Sequence, residues 1–320
     1  MSKPLSNAYH KLYHPNKMTL GFLPPFEPMT TQLPKMDNTL DIAKKLEAYG
    51  FGAIWLRDVM MHDLSSNDHG QLFDLWTYLG YLAANTKDIV LGTSSIVLPL
   101  RHPVRTAHIA SSIERLYPER LIMGVASGDR KKDFLALGVD RDTRGEQFIQ
   151  SHEILEQLLS QETPAINNDI AYIDGNEVQM MPQTNKRIPI FPTGFAQNSI
   201  DWLAQHGDGW IQYPRSPHEQ EQLIYDYRYL VSQHNKEQFK PFTQTLYIDL
   251  TENPNHVPEA IPLGFRLGRN HLKELLYQYQ DIGVNHLAFV PYFARRPVED
   301  IVDELGEEIV PLFPTHNEIN

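Results

Sequence analysis

Three apolar segments of the chain are interrupted by small residues, several of which carry hydroxyl groups. The interruptions are GTSS at residues 92–95, GVASG at residues 124–128 and PTGFAQNS at residues 192–199. Small side chains let backbone N–H and C=O groups approach a planar ring with polar edges. The helix predicted after the third segment would favour an anion at its N-terminus. Together they indicate a flat ring carrying one phosphate monoester, as in FMN, although close strand–helix packing explains each segment singly.

Residues with acid–base or metal-binding chemistry form no recognisable constellation. The sequence shows no Ser-His-Asp order and no paired carboxylates, and the absence of Cys excludes thiolate chemistry. Asp58, at the end of a predicted strand, is a candidate general base, with a salt bridge or a loop cap as the alternative. His62 and His69 lie near Asp63 and Asp68, but their spacing fits no metal motif. We therefore interpret them as solvated loop residues and predict no metal.

Charge and hydropathy exclude several classes of partner. The formal net charge of -12 argues against nucleic acid, which requires a basic surface. No apolar run approaches the length that crosses a bilayer, and residues 1–17 lack the apolar core of a signal peptide. We therefore expect a cytoplasmic protein that acts on a small molecule.

Short apolar runs alternate with amphipathic stretches along most of the chain. Eight such strand–helix units are typical of a (β/α)8 TIM barrel. A doubly wound sheet is the alternative, but the first strand ends in LPPFEP, without a Gly-rich dinucleotide turn. We predict one barrel domain over residues 19–320, with an insertion at about 161–187 whose hairpin turns at Asp174 and Gly175. Residues 1–18 are an N-terminal extension to which we assign no structure.

The predicted strands and their order resemble one family in detail. Residues 92–148, with the RHP turn and the GVASG strand, are similar to the luciferase-like flavin monooxygenases, as are GFGAIWLRD, IPIFPTG and HGDGWI. The resemblance implies a homodimeric barrel that binds reduced FMN and activates O2 as a C4a-hydroperoxide to oxygenate a small organic substrate. It also implies a separate NAD(P)H:flavin reductase that supplies the reduced FMN.

The resemblance also assigns roles to individual positions. Ser94 and Ser95 match the pair behind the flavin ring, which we predict to be joined by a cis peptide bond. Residues matching cofactor-binding positions are Leu23, Asp58, Ser94, Ser95, Ala126, Ser127, Gly128, Arg130, Gly194, Phe195, Ala196, Gln197 and Asn198; Val59, Tyr213 and Tyr292 are predicted to line the substrate pocket.

The chain departs from the luciferases at several of these positions. Val59 stands where luciferases carry a His, Ala126 at the position of a reactive thiol, and Ser127 at that of a phosphate-binding Arg. Ala196 replaces a common Ser, so backbone N–H groups, with Arg130 or Gln197, would carry more of the phosphate contact. These departures argue against light emission from a long-chain aldehyde and leave monooxygenation open.

Two alternative functions remain within the same fold. An F420-dependent dehydrogenase would need cations for the polyglutamate tail of F420, for which Arg130, Lys131 and Lys132 are candidates. A flavin-binding protein without turnover is the other, because no clear acid–base residue is present. A barrel hydrolase is disfavoured by the lack of carboxylate pairs.

Overall fold

The computed structural model describes residues 3–27, 33–65, 70–234 and 238–316. The strands are β1 (Thr19–Phe22), β2 (Ala53–Leu56), β3 (Val90–Thr93), β4 (Ile96–Val97), β5 (Leu121–Ala126), β6 (Ile166–Asn167), β7 (Tyr172–Ile173), β8 (Ile190–Pro192), β9 (Trp210–Gln212), β10 (Phe242–Leu250), β11 (Glu259–Ile261), β12 (Gly264–Leu267) and β13 (His286–Val290). The α-helices are α1 (Asn7–Leu12), α2 (Thr39–Ala48), α3 (Leu75–Asn85), α4 (Pro103–Leu116), α5 (Lys131–Leu137), α6 (Arg144–Ser160), α7 (Ile200–His206), α8 (Pro217–His234), α9 (Arg269–Ile282) and α10 (Val298–Glu308). Short 3₁₀ turns span Leu98–Leu100 and Val310–Leu312.

Most strand pairs in the main sheet are parallel. The parallel ladders run in the order β8, β5, β3, β2, β1, β13, β10, β9. A single parallel bridge between Thr193 and Ile211 links the residues at the ends of β8 and β9. The α/β class predicted from the strand–helix alternation is therefore confirmed, and none of the described helices is long and apolar enough to cross a bilayer.

Alternation along the strands separates two buried apolar clusters. In β2, Ile54 and Leu56 belong to a cluster shared with the helices, whereas Ala53 and Trp55 belong to a second cluster with Val90. Successive side chains of a strand point to opposite faces of the sheet, so the second cluster marks its inner face. Ile122, Phe191, Ile211, Ala288 and Val290 come to this inner cluster from the other parallel strands.

Glycines in the strand centres make room for large inner side chains. A Cβ at Gly92 would lie 2.3 Å from Cε3 of Trp55, and one at Gly21 would lie 2.6 Å from Nε2 of His286. At Gly124 the added atom would lie 2.0 Å from the backbone oxygen of Thr93. Close packing therefore explains Gly92 and Gly124. Only the residues that follow these glycines in each segment remain candidates for contact with a ligand.

A buried polar chain crosses the inner cluster. The indole N–H of Trp55 donates to Nε2 of His286 at 2.9 Å, and Nδ1 of His286 lies 2.7 Å from the Thr19 hydroxyl. The Thr19 hydroxyl in turn donates to the carbonyl of Leu12 at 3.0 Å. These partners assign the His286 proton to Nδ1, and burial lowers the pKa of His286 to about 3, so the ring is neutral.

The N-terminal extension forms part of the core. Helix α1 buries Ala8, Tyr9 and Leu12, which join the inner cluster. The Tyr9 hydroxyl donates to the carbonyl of Phe239 at 2.7 Å, and Tyr13, just after α1, shares a buried hydrogen bond of 3.0 Å with Thr243. Because Thr19 and Thr243 lie at the starts of β1 and β10, α1 covers the N-terminal ends of the strands.

The insertion between α6 and β8 contains a hairpin, but its turn lies at residues 168–171 and not at the predicted position. Strands β6 and β7 pair antiparallel, and Oδ1 of Asn168 accepts from the backbone N–H groups of Ile170 and Ala171. This side-chain cap holds the turn between the strands. Asp174 and Gly175 follow β7, so the prediction that they form the turn was wrong. A Cβ at Gly175 would lie 2.5 Å from the Thr163 oxygen, so close backbone approach explains this glycine.

Candidate functional site

A pocket of about 280 Å³ lies beyond the carboxyl ends of the parallel strands. Its wall combines inner-face residues from the strand ends with residues of the loops that follow them. The lining consists of Leu23, Arg57, Asp58, Val59, Ser94, Ser95, Val97, Ala126, Gly128, Asp129, Arg130, Thr193, Ile211, Gln212, Tyr213, Thr245, Tyr247 and Leu263. Ligands of parallel α/β proteins bind at this end of the strands, which makes the pocket the candidate functional site.

The pocket brings together predicted residues from the ends of β1, β2, β3, β5 and β9. Among the predicted positions, the lining includes Leu23, Asp58, Val59, Ser94, Ser95, Ala126, Gly128, Arg130 and Tyr213. It does not include Ser127, Gly194, Phe195, Ala196, Gln197, Asn198 or Tyr292. Ser127 is buried beside the lining, and Tyr292 lies behind Arg57.

The peptide bond between Ser94 and Ser95 is cis, as predicted. It separates β3 from β4, and the Ser94 N–H donates to the Leu56 carbonyl of the neighbouring strand at 2.6 Å. The Ser95 hydroxyl shares a hydrogen bond with the hydroxyl of Thr193 across the pocket wall. Two strand ends therefore present a joined pair of hydroxyl groups to the pocket.

Asp58 forms a bidentate ion pair with Arg101. Nε and Nη2 of Arg101 donate to the two carboxylate oxygens at 2.8 and 2.6 Å, and the backbone N–H of Val97 donates at 3.2 Å. Only 5% of the Asp58 side chain is exposed, and the pair raises the pKa of Arg101 further above its ordinary value. The structure thus shows the salt bridge that was one interpretation of Asp58; its role as a base remains a prediction.

Arg57 adds a cation to the inner wall. Its Nη1 donates to the Tyr292 hydroxyl at 2.7 Å, and Cζ lies 5.9 Å from the Tyr292 ring centroid. The backbone N–H of Arg57 donates to Oε1 of Gln71 at 2.9 Å. Tyr247 contacts Tyr292 edge to face, with 5.7 Å between ring centroids. Tyr292, predicted to line the substrate pocket, therefore acts from behind by holding Arg57.

Two of the basic residues after β5, Arg130 and Lys132, have ion-pair partners. Nε of Arg130 lies 3.2 Å from Oδ2 of Asp133, and Nη2 donates to the Met61 carbonyl at 2.7 Å. Lys132 is paired with Asp63. These contacts fasten the loop after β2 to the start of α5, and burial raises the pKa of Asp133.

The turn predicted to bind the phosphate lies outside the pocket lining. Gly194, Ala196 and Gln197 have φ values of 59, 49 and 63°. The Asn198 amide and backbone N–H groups donate to carbonyls within the turn, at 2.8 Å each. A Cβ at Gly145 would lie 3.0 Å from Cβ of Gln197, so the turn packs beside the start of α6. Helix α7 follows, with Ser199 capping the Trp202 N–H at 3.1 Å.

Several lining residues were missed at the sequence level. Thr245 and Tyr247 alternate with Thr243 on the inner face of β10, a period-two polar pattern that a strand assignment could have exposed. Thr193, by contrast, lies in the predicted segment 192–199. Leu263 sits in the hairpin of β11 and β12, which no sequence signal placed near the pocket.

In the part of the chain that the structure describes, no group of side chains is positioned to bind a metal ion. No three His, Asp or Glu side chains there are grouped as ligands. Asp68 and His69 lie outside the described residues. The hydroxyls and small apolar groups at the strand ends, beside Tyr213 and Tyr247, are suited to holding a flat ring with polar edges.

Comparisons with known proteins identify the family of this chain. Residues 18–256 match the model of the luciferase-like monooxygenases. The alkanal monooxygenase alpha chain of Photorhabdus luminescens is 24% identical over 182 residues, 56% of this chain and 48% of that protein. The uncharacterized protein YddN of Bacillus subtilis is 25% identical over 283 residues, 85% of this chain and 72% of that protein. The chain thus spans about half the length of the alkanal monooxygenase it matches.

Solved structures share the fold at low sequence identity. The monooxygenase RslO1 from Streptomyces bottropensis superposes with a TM-score of 0.76 at 15% identity, covering 92% of this chain and 100% of that one. An F420-dependent secondary alcohol dehydrogenase superposes with a TM-score of 0.74 at 13% identity, covering 92% and 98%. The fold alone therefore serves proteins named for different reactions. The family model spans most of the chain, and every parallel strand up to β10 lies within the match: the chain belongs to the luciferase-like monooxygenase family.

Proposed function

We propose that this protein is an FMN-dependent monooxygenase that uses reduced FMN and O2 to oxygenate a small organic substrate. The observation that carries the proposal is the pocket built on Ser94 and Ser95, where hydroxyl groups alternate with small apolar side chains. An isoalloxazine ring has apolar faces and polar edges, and this wall suits both. Ser95 and Thr193 supply hydroxyls at the edges, while Ala126 and Leu23 supply apolar surface.

The proposal includes a (β/α)8 barrel around this pocket. Eight parallel strands follow one another through their ladders from β8 to β9, and the bridge between Thr193 and Ile211 would join the two ends. Closure at that bridge gives one ring of strand ends, as a barrel requires. The pocket is then the mouth of the barrel, and α1 covers the opposite end.

Within this pocket each group of residues has a distinct task. Reduced FMN, when bound, would supply the activation of O2, which no side chain can perform. Ser94 and Ser95 would back the ring, and Gly128 and Arg130 would hold the phosphate side together with residues 194–198. Val59 and Tyr213 would exclude water from the reacting centre. Asp58 would act through Arg101 by keeping the two rim loops together.

FMN is favoured over F420 by the charges at the pocket mouth. An F420 tail would require several available cations, but Arg130 contacts Asp133 and Lys132 contacts Asp63. Asp129, exposed at the same rim, adds a further negative charge. With a net charge of -12, the protein offers little attraction to a polyanionic cofactor.

A cofactor titration followed by an oxygen reaction tests the proposal. We expect reduced FMN to quench protein fluorescence with saturable binding, and F420 to bind at least tenfold more weakly. Rapid mixing of the reduced complex with O2 should give a transient absorbance that free reduced FMN does not give. Binding of F420 in preference to FMN would overturn the cofactor assignment, and binding without any reaction would leave a flavin carrier instead of an enzyme.

The proposal extends to assembly and supply. We infer a homodimer in the cytoplasm that receives reduced FMN from a separate NAD(P)H:flavin reductase. Light scattering of the purified protein measures its mass against the 36.9 kDa chain. NADH oxidation by the purified protein with FMN, in the absence of any reductase, would contradict the need for a second component.

A further inference from the structure

A second cavity, of about 870 Å³, lies between the start of α4 and the insertion. We call it the α4–hairpin groove. Its lining comes from residues 102–108 and residues 170–181, with Leu158 contributed by α6. None of the lining residues takes part in the lining of the candidate functional site. The groove is therefore a separate feature of the chain, and its interpretation does not rest on the proposed function.

The floor of the groove is apolar and continuous with the core. Val104, Ile170 and Ile173 line it, are half-buried and pack against the main apolar cluster. Tyr172 and Val178 line the same cavity with 74% and 57% of their surface exposed. Large apolar side chains grouped at the surface commonly mark a binding site. The groove thus offers an apolar surface to a ligand.

The polar edge of the groove is basic. His102, Arg105 and His108 line it at a spacing of three residues, which places them on one side of the start of α4. The lining contains no Asp or Glu; Asp169 and Glu177 adjoin it in sequence but are not part of it. Arg105 is exposed and forms no ion pair within the described residues. The lining is therefore locally positive in a chain whose net charge is -12.

We propose that the α4–hairpin groove binds an amphipathic carboxylate, with the carboxylate on Arg105 and the carbon chain on the apolar floor. A guanidinium donates two parallel N–H bonds to one carboxylate, and the imidazole of His102 or His108 can add a further N–H donor. Burial of the chain supplies affinity in proportion to its length. A mostly apolar cavity with a few converging polar groups is the usual composition of a small-molecule site.

Matched ligands separate the contribution of the carboxylate from that of the chain. The protein without flavin is titrated calorimetrically with octanoate, hexanoate, 1-octanol and octyltrimethylammonium. We expect saturable binding of octanoate, and binding of hexanoate about tenfold weaker because it lacks two methylene groups. The binding of 1-octanol should also be about tenfold weaker, the range of a charge-assisted hydrogen bond. The octyltrimethylammonium cation should bind more weakly than 1-octanol.

Variants of the lining locate the bound ligand. Arg105→Gln should weaken octanoate binding to the level of 1-octanol. Arg115→Gln is the matched control, because Arg115 is exposed on α4 outside the lining and its loss changes the net charge equally; it should bind octanoate normally. Val178→Asp places a carboxylate at an exposed position of the lining and should also weaken octanoate binding. The melting temperature of each variant reports the fold.

Three results would overturn the inference. The first is equal affinity for octanoate and 1-octanol, and the second is octanoate binding that Arg105→Gln leaves unchanged. The third is the absence of octanoate binding to the unmodified protein. If Val178→Asp then halves the mass measured by light scattering, the groove is an interface between two copies of the chain. Because the titrations contain no flavin, failure of FMN binding would overturn the proposed function and leave this inference standing.

Discussion

Arg101 and Asp58 are 43 residues apart in sequence and form two hydrogen bonds, Nε to Oδ2 at 2.8 Å and Nη2 to Oδ1 at 2.6 Å. The pair joins the loop after β2 to the turn after β4, and Arg101 also reaches Asp74 at 3.3 Å. Asp74 in turn caps α3 by accepting from the Thr77 N–H. One guanidinium therefore holds together three segments of the rim.

Removing one partner of the Asp58–Arg101 ion pair should destabilise the protein more than removing both partners. Asp58→Asn leaves Arg101 largely buried beside a neutral amide, and we expect the free energy of unfolding to fall by about 3 kcal/mol. Asp58→Asn combined with Arg101→Gln should recover at least half of that loss. Urea unfolding measures both. A double variant no more stable than Asp58→Asn would contradict this prediction.

Ser95→Leu should abolish FMN binding without unfolding the protein. Ser95 lines the pocket, and the larger side chain would occupy the space that the proposal assigns to the ring. Fluorescence titration with FMN measures the effect, and the melting temperature reports the fold. Ser232→Leu, on α8 outside the pocket lining, is the control and should bind FMN normally. Normal binding by Ser95→Leu would place the ring elsewhere.

Gly92→Ala should destabilise the fold by about 2 kcal/mol, because the new Cβ would lie 2.3 Å from the Trp55 ring. Gly80→Ala is the matched change on α3, where the nearest atom is 3.7 Å away. It should instead stabilise the protein by about 0.5–1 kcal/mol, the usual gain for alanine within a helix. Equal effects of the two substitutions in urea unfolding would refute the packing explanation of Gly92.

His152 should make stability depend on pH in the acidic range. It is buried between α6 and α7 against Trp202, with ring centroids 5.2 Å apart, and neither ring nitrogen has a partner among the described residues. Burial lowers its pKa to about 4 from an ordinary value near 6.5. The unfolded chain takes up the proton more readily, so this histidine's contribution to stability is complete above pH 6.5. It falls by about 1.4 kcal/mol per pH unit between pH 6.5 and 4.

His152→Leu tests this assignment, because an apolar side chain replaces a ring that forms no hydrogen bond. Stability at pH 7.5 should change little, and the slope of the unfolding free energy between pH 6.5 and 4 should become shallower. Burial lowers the pKa of His286 as well, so part of the slope should remain. An unchanged slope in His152→Leu would contradict the prediction.

The strands of the fold were predictable because each is a short apolar run with its own boundaries. Pro24 and Pro25 follow the end of β1, and Pro103 is the first residue of α4. The N-terminal helix was missed, although Ala8, Tyr9, Leu12 and Tyr13 repeat at helical spacing. The wrong turn in the insertion has a local cause: Asn168 competes with Asp174 as a turn residue, and its side chain caps the tighter turn.

The candidate site was predictable in part, since strand ends can be read from the sequence and side-chain partners cannot. Ser94 and Ser95 lie on the wall because they end a strand. The ion-pair partner of Asp58 is Arg101, which lies 43 residues away in sequence, and no local pattern identifies such a distant partner. Leu263 reaches the pocket through the hairpin of β11 and β12, an addition to the repeating unit that periodicity alone did not reveal.

Helix α1 and the layer formed by Trp55 and His286 close the lower end of the described strand set. At the other end, the candidate site lies beside the rim that Arg101 holds together. A flavin resting on Ser94 and Ser95 would have to arrive before the substrate and leave after the product. Under the proposed function we therefore expect ordered entry and exit, in which excess substrate slows the exchange of the cofactor.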